Sequence, residues 1–193
     1  AVEMTELAAR HTGVPAGEVL VTSTGVIGLL MPMERIRAAM PEIKLSVEGG
    51  HDIARSIMTT DTVPKEVAVT AGGFTIGGMS KGVGMIHPNM ATLLCFLTTD
   101  ANIEPGFLKQ ALRKAVGISF NMISVDGDSS TNDTVLIMAN GLAGGKPITK
   151  ESRMADVFQE ALNRVCVYLA MSNARDGEGA TRLIEVTVGS AKN

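Results

Sequence analysis

The chain has no tryptophan, one tyrosine and five phenylalanines, so aromatics are only 3% of its 193 residues. A core without large rings must be aliphatic, and the 12 methionines help fill it. Basic runs are also missing: 17 Lys and Arg face 20 Asp and Glu, for a net charge of −3. With no aromatics interleaved among basic residues, nucleic-acid binding is excluded as an expectation. No apolar run reaches the roughly 18–20 residues of a membrane span, so a membrane partner is not expected. The first residues, Ala-Val-Glu-Met-Thr-Glu, are acidic and do not read as a signal peptide. Two cysteines cannot make a disulfide scaffold. Cys95 and Cys166 lie in apolar surroundings and read as buried thiols of a cytoplasmic protein. The three histidines are far apart, so no metal site is expected. What is present is 45% hydrophobic residues with 19% charged, the balance of a globular chain, and 21 glycines.

Periodicity places a helix over 3–11, stopped by Gly13-Val14-Pro15, and a strand over 18–23. Pro32 opens a short helix, and a second spans 50–58. Strands are expected at 65–70, at 74–76 after the Ala71-Gly72-Gly73 turn, at 92–97 and at 134–138. A helix starts at Glu104-Pro105, and the clearest apolar face runs from Met154 to Leu169, on a helix capped by Thr149. Leu183 to Val188 alternates as a final strand. Helices in pairs and strands in runs argue for an α+β fold, layered helices on mixed β-sheets, rather than a doubly wound parallel sheet.

Chemistry concentrates in residues 80–100. Gly82 and Gly84 flank Val83, Pro88-Asn89 turns the chain, and Ala91-Thr92 leads into an apolar run. A hydroxyl at the head of a buried strand, after a turn, is a candidate nucleophile. If the Ala91–Thr92 bond were cut, the new α-amine would serve Thr92 as its own base. His87, five residues upstream, reads first as a turn residue. Lys81 suits a carboxylate, or would hold down the pKa of a nearby amine by like charge.

Two other stretches carry less. Gly77 to Gly84 and Gly144-Gly145-Lys146-Pro147 lack the Gly-Lys-Ser/Thr of a phosphate loop. Asp126 to Asp133 resembles a calcium loop, but Thr131 stands where Gly is needed and Ile137 where Glu is needed. It reads as a polar turn ahead of a strand.

With these residues in view, the chain resembles the ornithine acetyltransferase family, the bifunctional glutamate N-acetyltransferases of arginine biosynthesis. The resemblance rests on ordered stretches: Ser-Thr-Gly-Val-Ile-Gly (23–28), Ile-Met-Thr-Thr-Asp (57–61), Gly-Gly-Met-Ser-Lys-Gly-Val-Gly-Met-Ile (77–86), Pro-Asn-Met-Ala-Thr-Leu-Leu (88–94), Ser-Thr-Asn-Asp-Thr (130–134) and Glu-Gly-Ala-Thr (178–181). It implies self-cleavage between Ala91 and Thr92, residues 1–91 belonging to the family's α chain and 92–193 to the start of its β chain, in one intertwined unit. It implies ping-pong transfer of acetyl from N-acetylornithine to glutamate through Thr92, some members also accepting acetyl-CoA, with no cofactor. Thr24 and Gly25 match the oxyanion-hole pair, and Thr59, Lys81, Thr92 and Glu178 match substrate-binding positions. Physically, Lys81 suits an α-carboxylate and Glu178 a substrate amine. Members assemble as two copies of each cleaved chain and are about twice this length, so the chain resembles the middle of such an enzyme.

Two other readings stand beside this one. An amidohydrolase or aminopeptidase would use the same nucleophile with water as acceptor, and an inert fragment would fold without reacting.

Overall fold

The computed structural model describes residues 1–190, with Met90 and Ala91 described by their backbone. The chain divides into two compact units, Ala1–Gly50 and His51–Asn193.

The first unit is helical. α1 (Val2–Thr12) ends on Gly13, and α2 (Met33–Ala39) follows a stretch with only one 3₁₀ turn, Ala16–Glu18. Arg37 of α2 forms an ion pair with Glu3 of α1, its Nη2 donating to Oε2 at 3.1 Å. The His11 imidazole lies 2.8 Å from the Ile43 carbonyl. The strand expected over 18–23 does not form. Those residues pair with no other strand, and Leu20 is 72% exposed. A β-prone apolar run prepares a strand, but only a partner's backbone ladder makes one.

The second unit is built on a four-stranded sheet, in the order β1-β2-β5-β6. α3 (Gly50–Ser56) leads towards β1 (Lys65–Ala71). β1 turns into β2 (Phe74–Lys81) through Gly72 and Gly73, both at positive φ as a tight hairpin requires. A two-residue hairpin follows, β3 (Ile86–His87) with β4 (Met90–Ala91), closed by Asn89 at φ 68°. β5 (Leu94–Thr99) then returns antiparallel to β2, from Lys81↔Leu94 to Ile76↔Thr99. β6 (Thr134–Ala139) lies parallel to β5, so the chain must cross over between them, and α4 (Pro105–Gly117) is on that crossover. Glu104 caps α4, its carboxylate accepting from the N–H groups of Gly106 and Phe107.

α5 (Ala155–Arg175) packs on β1 and β2 and against α4. Phe158, Leu162, Val165 and Leu169 on its inner face meet Phe74, Ile76 and Leu97 of the sheet. The Phe74 and Phe158 rings lie 5.4 Å apart. Cys95 and Cys166 are both free and buried in this core. Helices on a mixed sheet give the expected α+β class.

Three further expectations need correction. α5 starts at Ala155 rather than after Thr149, because residues 150–154 run as turns and Met154 stands at the cap with no side-chain bond. Residues 183–188 form no strand, and Ile184, Val186 and Val188 are each more than 70% exposed without a pairing partner. The strand expected from Thr92 begins at Leu94, for a reason that belongs to the site.

Candidate active site

Thr92 stands where the chain leaves the β3–β4 hairpin for β5. Its N–H donates to the Met85 carbonyl at 2.8 Å, so its backbone is tied back to the hairpin rather than into the sheet. This is why ladder pairing starts two residues later. Met85 is itself fixed at φ 54°. The Asp126 carboxylate accepts from the N–H groups of Met85 at 2.6 Å and Ile86 at 3.1 Å. Val125 adds a bond to the Ile86 carbonyl. The loop that resembles a calcium site therefore works as a clamp on the hairpin. Burial works to raise the Asp126 carboxyl, but these backbone N–H groups outweigh it and hold it below the usual range.

The Thr92 hydroxyl is buried and has no hydrogen-bond partner among the described residues. A buried orphan hydroxyl costs stability, on the order of 1–3 kcal/mol, unless something else is meant to bond there. Gly82 lies against the same residue from the end of β2. Its φ is +144°, and a β-carbon on it would stand 2.6 Å from the Thr92 carbonyl oxygen. Only glycine permits both that backbone and that approach.

Four consecutive residues hold the groups around this point. The Thr59 hydroxyl accepts from Lys81 Nζ at 3.3 Å. The Thr60 hydroxyl donates to Glu178 Oε1 at 2.6 Å. Asp61 accepts from Gly82 N–H at 2.9 Å and from Thr59 N–H at 3.2 Å. Thr62 donates to Asp176, from its N–H at 3.0 Å and from its hydroxyl. Beneath them Lys65, 2% exposed, bridges Asp61 at 2.6 Å and Asp176 at 2.7 Å.

Such a buried triad is tolerated because every charge in it is paired and hydrogen-bonded. Burial acts to raise Asp61, but the Lys65 ammonium and the two backbone donors overcome it, leaving its pKa lowered. Asp176 behaves alike, with Lys65 and Thr62 as its donors. Lys81 is 2% exposed. Burial pushes its pKa below the ordinary lysine value. Asp61 pulls it back up, and Lys65 pushes it further down.

The structure therefore brings together four of the candidates read from sequence. Thr92 meets Gly82, the neighbour of Lys81. Lys81 meets Thr59, and Glu178 joins the same network through Thr60 and through its own N–H, which donates to the Val83 carbonyl at 2.6 Å. Thr24, half-buried, and Gly25, exposed, belong to the first unit, in a segment without helix or strand. Ala91 precedes Thr92 in β4, its backbone paired with Ile86. His87 is exposed in the hairpin. A cavity of about 370 Å³ lies beyond Leu93, between α4 and the start of β6, and none of the candidates lines it.

Sequence reading missed Asp61, Lys65 and Asp176, whereas Asp126 lies in the polar turn it singled out ahead of β6. Asp61 and Lys65 stand four apart, a cue for pairing on a helix, but residues 61–64 are not helical and Lys65 opens a strand. Nothing local signals that Asp176, 111 residues on, completes the bridge.

Comparison with known proteins gives these positions a context. The model of the ArgJ family matches residues 1–193. The arginine biosynthesis bifunctional protein ArgJ of Symbiobacterium thermophilum is 53% identical over 197 residues, covering 99% of this chain and 49% of that protein. The protein of the same name from Bacillus subtilis is 50% identical over 194 residues, covering 98% and 48%. A crystal structure of the Bacillus halodurans protein is 50% identical with a TM-score of 0.44, covering 45% of this chain and 41% of that one. The chain spans about half the length of the curated relatives it matches.

Proposed function

The chain belongs to the ArgJ family, and from that membership we propose that it carries the nucleophile of an acetyltransferase of arginine biosynthesis. Acetyl passes from N2-acetyl-L-ornithine to L-glutamate through an ester on Thr92. The observation that carries this reading is the Thr92 hydroxyl, buried and unpartnered at the end of a clamped hairpin.

Self-cleavage comes first. Thr92 Oγ attacks the Ala91 carbonyl, the C–N bond breaks, and the nitrogen takes up a proton. The resulting ester is hydrolysed by water, leaving a carboxylate on Ala91 and a free amine on Thr92. That amine has an ordinary pKa of roughly 7.7–8.0, suited to a base near neutral pH. In the transfer it accepts the Thr92 Oγ proton as Oγ attacks the acetyl carbonyl. The departing ornithine amine takes that proton. The glutamate amine then attacks the acetyl ester and releases Oγ for the next cycle.

Lys81 holds a substrate carboxylate beside Thr59, and Glu178 holds the ornithine side-chain amine. The Thr24 hydroxyl and the Gly25 N–H are the donors to the oxyanion; losing one such donor typically costs roughly 10²–10³ in rate. No cofactor enters, and acetyl-CoA would serve only as another acetyl donor. The complete protein works as two copies of each cleaved chain. Its place is the cytoplasm, where Cys95 and Cys166 stay reduced; among the described residues no helix is long and apolar enough to cross a membrane.

Mass spectrometry tests the reading directly. The expected result is a break between Ala91 and Thr92, and an acetyl increment on the peptide starting at Thr92 after incubation with N-acetylornithine. An uncut chain without that adduct overturns it. Release of acetate in the absence of glutamate would instead favour hydrolysis.

A further inference from the structure

Glu178 is exposed, yet its carboxylate and its backbone are each held by a hydrogen bond. The Thr60 hydroxyl donates to Oε1 at 2.6 Å. The Glu178 N–H is tied to the Val83 carbonyl. Gly84 lies alongside, where a β-carbon would come within 3.0 Å of Cδ and Oε2. Only a residue without a side chain lets the backbone lie that close to the carboxylate, and Oε2 accepts no hydrogen bond among the described residues. Glu178 also has no ion-pair partner among them.

We propose that Thr60 is a positioning residue for specificity: by bonding Oε1 it holds the Glu178 carboxylate against Gly84 so that the unbonded Oε2 receives the terminal amine of the acetyl donor. The inference deepens the proposed function and rests on its assignment of Glu178 to the substrate amine. Thr60 suits the task because its own segment cannot drift. Thr59 is bonded to Lys81, Asp61 to Gly82 and Lys65, and Thr62 to Asp176, which stands two residues before Glu178. Glu178 is thus gripped twice by one loop, directly through Thr60 and along the chain through Asp176. An unfixed exposed glutamate would sample several rotamers and hold an amine in few of them.

The test is steady-state kinetics of the full-length protein with two donors, N-acetylornithine and N-acetylnorvaline, which differ by the terminal amine. Thr60→Val removes only the hydroxyl from an exposed site, so folding is expected to survive. It should raise KM for N-acetylornithine about fivefold, the order of one ordinary hydrogen bond lost at one remove from the substrate, with kcat changed less than about twofold. Its kcat/KM for N-acetylnorvaline should fall by less than about twofold. Thr60→Ser, which restores the donor, should return KM for N-acetylornithine to the parent value. Equal losses on both donors, no loss on either, or failure of the serine variant to restore KM would overturn the inference while the parent still transfers acetyl. A parent protein that transfers no acetyl, or that treats the two donors alike, overturns the assignment of function or of Glu178, and the inference with it.

Discussion

Gly82 and Thr92 meet so closely that a single methyl group on Gly82 would stand 2.6 Å from the Thr92 carbonyl oxygen. The contact joins the end of β2 to the residue that opens the second half of the chain. It also leaves no room for the smallest substitution. Gly82→Ala would carry both this clash and a backbone at φ +144°. The expected cost is roughly 2 kcal/mol or more, read in denaturant unfolding. Intact mass should show less cleavage at 91–92 than in the parent. A variant equal to the parent in both measurements would mean the contact is slack.

Thr92 itself admits a sharper comparison. Thr92→Ala should stay uncut and lose transfer by a factor on the order of 10⁴ or more, as removal of a nucleophile does. Thr92→Ser keeps a hydroxyl and should still be cut and acetylated. Gel analysis and an assay for acetylglutamate read both. Transfer surviving in the alanine variant would move the nucleophile elsewhere.

The Asp61–Lys65–Asp176 bridge predicts an acid limit to stability. Both carboxyls have their pKa lowered on folding, so the folded state binds fewer protons than the unfolded one as they titrate. Their contribution is full above the ordinary carboxylate value near pH 4 and is lost as pH falls through the folded values. Asp61→Asn leaves Lys65 short of a buried partner and is expected to cost about 3–5 kcal/mol at neutral pH. It should also flatten the acid side of a plot of melting temperature against pH. An unchanged acid slope would assign the sensitivity to other groups.

Lys81 predicts an alkaline limit to activity. Burial lowers its pKa, with Asp61 opposing and Lys65 reinforcing the shift, while Thr59 supplies a neutral hydroxyl. A lysine that must be protonated to hold a carboxylate should then release it below the ordinary lysine pKa of about 10.4. The rate kcat/KM should fall on that side before a free lysine would titrate. Lys81→Met should raise KM at least about tenfold, the order expected for a lost charged contact, and remove that limb. A limb that persists in the variant belongs to another group.

The fold was legible in sequence wherever a segment's pattern and its tertiary partner agreed. β1, β2, α4 and α5 have apolar positions at the right period, and each finds a surface to cover. Residues 18–23 and 183–188 show the opposite: the apolar run of the first and the alternation of the second are genuine, but neither has a strand partner among the described residues. The start of β5 was misplaced because the Met85 carbonyl takes the Thr92 N–H, a contact that no local pattern encodes. The candidate residues Thr59, Lys81, Thr92 and Glu178 were reached through ordered motifs; the structure links Thr59, Lys81 and Glu178 through the hydrogen bonds of residues 59–62 and sets Thr92 against them by its contact with Gly82. The acids that hold them were not legible, since Asp61 and Asp176 are 115 positions apart in sequence and share only the Lys65 ammonium.

The register of β2 against β5 has a thermodynamic consequence for a cut chain. Six residue pairs, Ile76↔Thr99 through Lys81↔Leu94, straddle the 91–92 junction. Before cleavage this pairing closes a loop within one molecule. Afterwards it is an association between two molecules, with the translational entropy that implies. Cutting a folded chain would leave the sheet intact, while the same two pieces, once denatured, would have to meet at finite concentration to rebuild it. Cleavage would thus turn unimolecular folding into a bimolecular assembly, and recovery from denaturant should depend on dilution only after the bond is broken.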